Sequence, residues 1–258
     1  MDTVVLKLVV TPVLILTASL AGRRWGETVS GWFIGLPLTS GPVCFFLALE
    51  QGTGFAASTA RGSLAGAAAE SGFALAYILT ARGSGWPLAL FAGTLGYAAV
   101  AALLQAVSQL WVLGAIVYAA LALGLVLMPR LRAGSAAIPT PPRWDIPARV
   151  AVATALVFSL TELAPLFGAR LSGLLATYPL FGAVLAAFAH RLSGAAAAER
   201  VLRGLLVGLF GFTGFFLLLA ATIQRTGLAA SFAAATALAL LIQGGSLWLL
   251  RRARRPRR

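Results

Sequence analysis

Long apolar runs separated by short polar turns set the pattern of this chain. They lie at 3–21, 29–50, 60–81, 86–105, 107–128, 147–168, 171–190, 202–223 and 228–250. Each is close to the ~20 residues that cross a hydrocarbon core as a helix. A helix satisfies its own backbone groups in lipid, so all nine runs are predicted helical. The one long connection, 129–146, is rich in proline and arginine and reads as a linker on the membrane surface. The expected fold class is an all-α, polytopic membrane helical bundle.

The pattern is also written twice. Residues 26–66 match 168–208 at a constant offset of 142 with no gap, and twelve of those 41 positions are identical. The shared residues include Pro37/Pro179, Gly52/Gly194, Arg61/Arg203, Gly62/Gly204 and Gly66/Gly208. Apolar sequences resemble one another cheaply, whereas glycine, proline and arginine fix backbone geometry or charge. Nine spans with this repeat divide as 4+1+4. The first four-helix unit covers 1–106 and a connecting helix covers 107–128. The linker at 129–146, a second unit at 147–250 and a basic tail at 251–258 follow. One odd helix between two even units inverts the second. The units are therefore predicted to be inverted-topology repeats about a pseudo-twofold axis in the membrane plane.

Composition narrows this further. The chain is 60% hydrophobic and 10% charged, with a mean hydropathy of +0.92, more than a water-exposed surface of this size tolerates. Its net charge of +13 could suggest nucleic acid, but the arginines sit in short loops and the tail, where membrane topology places them. With the N-terminus outside, 16 arginines fall on the inner side and three, Arg61, Arg170 and Arg225, on the outer side. This predicts an integral protein of the bacterial inner membrane, N-terminus outside and C-terminus cytoplasmic. The tail is expected to meet anionic lipid headgroups.

Candidate chemistry is sparse. Pro37 and Pro179 fall near the centres of the second and seventh spans, where proline interrupts a helix. Around Pro37 the break is reinforced by Thr39, Ser40 and Gly41, whose hydroxyls and backbone would lie at mid-membrane; Tyr178 precedes Pro179. Paired broken helices point to a transport site, although a simple packed kink has the same sequence. Gly62/Gly66 and Gly204/Gly208 have the small-x-x-x-small spacing of close helix contacts. Glu70 stands in the middle of the third span, where a carboxylate costs about 3 kcal/mol, and shares a face with Ser63, Gly66 and Tyr77. Its repeat mate is Phe212. It is the candidate for proton or cation coupling, set against a protonated carboxyl bonded to a neighbour. Arg61 and Arg203 either line opposite mouths of a path or snorkel to headgroups. His190 reads as interfacial. One His and one Cys leave no typical metal site, and no hydrolase, P-loop or dinucleotide motif is present. No enzyme activity or cofactor is expected.

Tyr178-Pro179-Leu180-Phe181, Ala189-His190 and Leu202-Arg203 resemble the Pro-Leu-Phe, Ala-His and Leu-Arg positions of the GlpM-like small four-helix bacterial inner-membrane proteins. The first copy keeps Leu6-Lys7, Pro37-Leu38 and Arg61 but has Thr39 and Ala48 where the second has Phe181 and His190. The resemblance implies a tandem-fused relative of that family and no particular reaction. Two functions are expected to compete. One is a small secondary transporter for an unidentified solute or ion, with a midplane cavity between the broken helices. The other is a non-transporting accessory protein of envelope or polysaccharide machinery. Homo-oligomer formation is left open.

Overall fold

The computed structural model describes residues 3–38, 40–129, 142–163 and 177–253. These form ten helices and, among the described residues, no strand. They are α1 (Thr3–Trp25), α2 (Glu27–Ile34), α3 (Ser40–Gln51), α4 (Thr53–Ala81) and α5 (Trp86–Leu104), then α6 (Leu110–Leu127), α7 (Asp145–Leu163), α8 (Leu180–Ser193), α9 (Ala195–Thr226) and α10 (Leu228–Ala253). Five of them, α4, α5, α6, α9 and α10, are long and apolar enough to cross a membrane. The outer surface is apolar: Leu103, Val126 and Leu241 are each about three-quarters exposed. Side chains of this kind suit a lipid solvent.

Glycine ends several helices in a single residue. Gly52 (φ 87°, ψ 169°) joins α3 to α4, and Gly194 (φ 80°, ψ 174°) joins α8 to α9. Only glycine takes this backbone without strain. Helix starts also keep the sequence offset: Thr3 and Asp145, Thr53 and Ala195, Trp86 and Leu228 are each 142 residues apart.

Two packed helix pairs, α1 with α7 and α4 with α9, run antiparallel. At the end of α1, Arg23 meets Asp145 at the start of α7, N–O 3.4 Å. Near the start of α4, Gly54 lies against Gln224 near the end of α9. The long helices α4 and α9 pack on each other in the middle of the bundle, and α6 packs on both. Gly124 of α6 sits at that junction, its missing Cβ facing Leu206 and Ser71.

The closest backbone approach is between α2 and α9. A Cβ at Gly31 would collide with the Val201 carbonyl, and one at Gly204 with the Thr28 carbonyl. One on Gly35 would stand 2.7 Å from Gly208 Cα, and one on Gly208 2.5 Å from the Trp32 carbonyl oxygen. The motif Gly204/Gly208 therefore docks on a second small-residue pair, Gly31/Gly35. α10 locks the crossing: Gln243 Nε2 donates to the Gly208 carbonyl at 2.6 Å, and Trp32 Nε1 donates to Ser246 Oγ at 3.0 Å. In the other motif the expectation of two packed glycines needs correcting. Gly66 lies against Thr177, but Gly62 is exposed and no described atom stands within 4 Å of where its Cβ would be.

Gly31→Ala and Gly204→Ala are expected to lower stability by about 1–3 kcal/mol each through overpacking. Gly62→Ala is expected to leave it unchanged or slightly raised. Denaturation of the three variants in detergent checks this.

Candidate functional site

Pro37 and Pro179 each stand at a turn before a helix, and the two turns have the same hydrogen bonds. At the first, Leu38 N donates to the Leu36 carbonyl at 2.8 Å, and Gly41 N donates to Pro37 O at 3.0 Å. At the second, Leu180 N donates to the Tyr178 carbonyl at 2.7 Å, and Ala183 N to Pro179 O at 2.8 Å. Pro179 has φ −74° and ψ 55°, close to an inverse γ-turn. Proline suits this turn because its ring fixes φ and it has no N–H to leave unpaired. Helix α8 begins at the next residue, Leu180, and α3 begins at Ser40.

The side chains around the two turns differ. At the second, Tyr178 Oη lies 2.9 Å from Thr94 Oγ1 of α5, and Thr177 Oγ1 lies 2.5 Å from Tyr97 Oη. The Tyr178 ring meets Tyr97 edge-on, centroids 5.5 Å apart, and Phe73 at 6.0 Å. On α4, Gly66 admits Thr177, since a Cβ there would come within 2.9 Å of the Thr177 Cβ. Glu70 is one turn further along α4, between Gly66 and Phe73. Glu70 is half-buried and makes no hydrogen bond or ion pair among the described residues. One and two turns beyond it are Ala74 and Tyr77; Tyr77 Oη is 3.3 Å from His190 Nδ1 of α8, the rings edge to face.

Depth follows from helix rise. Glu70 lies eleven residues from the end of α4 at Ala81, and Tyr97 eleven residues from the start of α5 at Trp86. At about 1.5 Å per residue both are ~16 Å from those adjoining helix ends. Carboxyl, phenols and hydroxyls thus stand at one level beside the Pro179 turn.

Glu70, Tyr77, Tyr178 and Pro179, all singled out by sequence, come together here. Thr94, Tyr97, Thr177 and His190 were missed as site residues. Thr94 and Tyr97 are ordinary positions of an apolar helix, and only packing brings them to Thr177 and Tyr178. His190 is not simply interfacial, since it holds the Tyr77 hydroxyl.

Pro37 and Gly41 lie elsewhere, along a groove of about 470 Å³ lined also by Phe215, Phe232, Thr236 and Gln243. Ser40 is half-buried beside it, and Thr39 lies outside the described residues. Phe212, the mate of Glu70, is buried against Phe216. A corresponding groove of about 680 Å³ runs beside Tyr178, between α5, α7 and α8. Each of the two prolines thus borders a groove of its own among the described residues.

The arginines also part ways. Arg203 pairs with Glu199, N–O 2.5 Å, and donates to the carbonyls of Leu125 and Met128 at the end of α6. It caps a helix, where cations are favoured, and does not snorkel to headgroups or face a pore mouth. Arg61 is exposed, with no hydrogen bond or ion pair among the described residues. A further charged cluster, legible only in three dimensions, joins Asp145 to Arg149 at 2.7 Å and to Arg23. Glu27 lies near it with Oε2 buried and unpartnered; burial raises its carboxyl above the usual range, and Arg149 and Arg200 oppose that. No three His, Cys, Asp or Glu side chains among the described residues are grouped to hold a metal.

No known protein family, curated protein or solved structure matches this chain.

Tyr97→Phe and Thr177→Val are each expected to lose about 1 kcal/mol of stability. Combined, they should show a coupling of about 0.6–1 kcal/mol in a double-mutant cycle. Strict additivity in a denaturation titration would show that the two hydroxyls do not depend on each other.

Proposed function

We propose that this chain is a small secondary transporter of the bacterial inner membrane, with nine spans arranged 4+1+4 as inverted-topology repeats. The spans of the first half are α1, α2 with α3, α4 and α5. The connector is α6. Those of the second half are α7, the segment ending in α8, α9 and α10. The antiparallel pairing of α1 with α7 and of α4 with α9, and the 142-residue spacing of helix starts, support this plan. The arginine distribution supports an outer N-terminus and a cytoplasmic C-terminus.

The observation that carries transport is the Pro179 turn beside a carboxyl with no partner among the described residues. A buried carboxylate costs several kcal/mol in an apolar bundle unless it is protonated or paired with a cation. Glu70 therefore alternates between binding a proton or cation and binding none, and the alternation drives the movement. Tyr97, Thr177, Tyr178 and Thr94 supply hydroxyls for a small polar solute or the coupling ion. Their phenols are rigid, so the site is pre-formed at little entropic cost. The hinge is the γ-turn at each proline, where the two parts of a span are joined by only a few backbone bonds. Interrupted helices at corresponding positions are where inverted-repeat transporters hold their cargo.

The test is a proteoliposome flux assay with a trapped pH dye and a panel of small polar solutes. Wild type is expected to acidify the lumen with one class of solute. Glu70→Gln should abolish the pH change, and Tyr97→Phe should weaken the apparent affinity ~10-fold. Wild-type flux and pH dependence in Glu70→Gln would remove the coupling role. Silence of the wild type across the panel would favour the accessory-protein reading.

A further inference from the structure

We propose that the groove between α5, α7 and α8 is a binding site for one anionic phospholipid, with the phosphate on Arg191 and an acyl chain along α8. The groove holds about 680 Å³. Its walls are almost wholly apolar, including Leu90, Val152, Leu156, Val184 and Phe188. Its polar features sit at the ends. At one end are Arg191, Trp86 and Trp144; at the other are the Thr94 and Tyr178 hydroxyls.

This distribution fits an amphiphile. Arg191 is exposed and has no hydrogen bond or ion pair among the described residues. The nearby acid, Asp145, is buried and already neutralised by Arg149 and Arg23. The rim therefore presents an uncompensated guanidinium, whose planar donors match a phosphate. Trp86 and Trp144 are the aromatic type that settles at headgroup level. From Arg191 to Leu180 is eleven residues of α8, about 16 Å of apolar wall, which suits one acyl chain in one leaflet.

The molecule contains its own control. The Pro37 groove shares two of the three walls, with Leu38 for Leu180, Gly41 for Ala183, Phe46 for Phe188 and Thr236 for Thr94, while no α1 residue stands in its lining for the α7 wall. At the rim, however, Leu49 replaces Arg191 and Leu228 replaces Trp86. An apolar groove that merely collects surrounding lipid needs no such difference. The charge-bearing rim occurs on one side only, and that groove ends at the candidate site. The proposal stands whether or not Glu70 drives flux.

The experiment uses the full chain with Trp25, Trp111 and Trp248 replaced by Phe, leaving Trp86 and Trp144 as reporters; Trp32, bonded to Ser246, is kept, and its signal is measured in the same chain carrying Trp86→Phe and Trp144→Phe and subtracted. It is reconstituted with brominated phosphatidylglycerol or brominated phosphatidylcholine, whose bromines quench nearby tryptophan. Half-quenching is expected at about fivefold lower mole fraction of phosphatidylglycerol, the preference one basic contact confers. Arg191→Gln should abolish the preference and leave weaker quenching by both lipids. Ala187→Phe, which fills the groove, should reduce quenching by both. Equal quenching by the two lipids before mutation, or a preference that survives Arg191→Gln, would overturn the proposal. Native mass spectrometry of the otherwise unmodified chain provides a second reading free of the tryptophan changes. One retained phosphatidylglycerol, lost in Arg191→Gln, is expected; equal retention by both proteins would overturn it.

Discussion

Contact without side chains between α2 and α9 is the constraint on which the arrangement depends. In lipid, helices gain nothing from burying apolar surface against each other, so association rests on close packing and hydrogen bonds. Gly31 and Gly35 on one helix and Gly204 and Gly208 on the other allow backbones to touch. Gln243 and Trp32 then fix the crossing with hydrogen bonds. Because α2 ends at Gly35, this contact also decides where the chain can break. The γ-turn at Pro37 begins where the glycine contact stops. On the opposite side Gly66 meets Thr177, which is 142 residues after Gly35, and the second γ-turn follows at Pro179. Each broken segment is thus held by the long helix of the other half.

The two halves share a backbone but not a chemistry. Both turns have the same hydrogen bonds, and both lie beside an apolar groove. At the second, Tyr178, Tyr97, Glu70 and His190 stand where the first has Leu36, Ala239, Phe212 and Ala48. Among the described residues the first turn keeps hydroxyl and amide groups, Ser40, Thr236 and Gln243, but no carboxyl, phenol or imidazole. A bundle can bear such groups in few places, since each must be bonded, neutralised or bound to a ligand.

Much of this was legible in the sequence because it was written in residues with few alternatives. Proline at 37 and 179 and glycine at 52 and 194 dictate backbone geometry, and the structure has turns at all four. Glu70 was legible because charge is costly in an apolar helix. The meeting of Tyr97 with Thr177, and of Tyr77 with His190, was not. Tyrosine and threonine are tolerated on almost any helix face, and only the crossing of α4, α5 and α8 selects which ones meet. Arg203 misled for a related reason. Positive charge near a helix end is the rule for membrane topology, and nothing local distinguishes it from an arginine capping the α6 carbonyls. Gly62 misled because spacing alone does not say which glycine of a pair faces a partner.

Opposed orientation of the two halves is the claim from which the crossed packing and the paired breaks follow. Equivalent turns join α4 to α5 and α9 to α10, at Ser84 and its mate Thr226. Each can carry a single cysteine in a background where the buried Cys44 is replaced by Ala. Labelling with a membrane-impermeant maleimide is then compared in right-side-out and inside-out vesicles. Opposed halves predict Ser84→Cys labelled only from the cytoplasmic face and Thr226→Cys only from the outer face. Labelling of both from the same face would contradict the account.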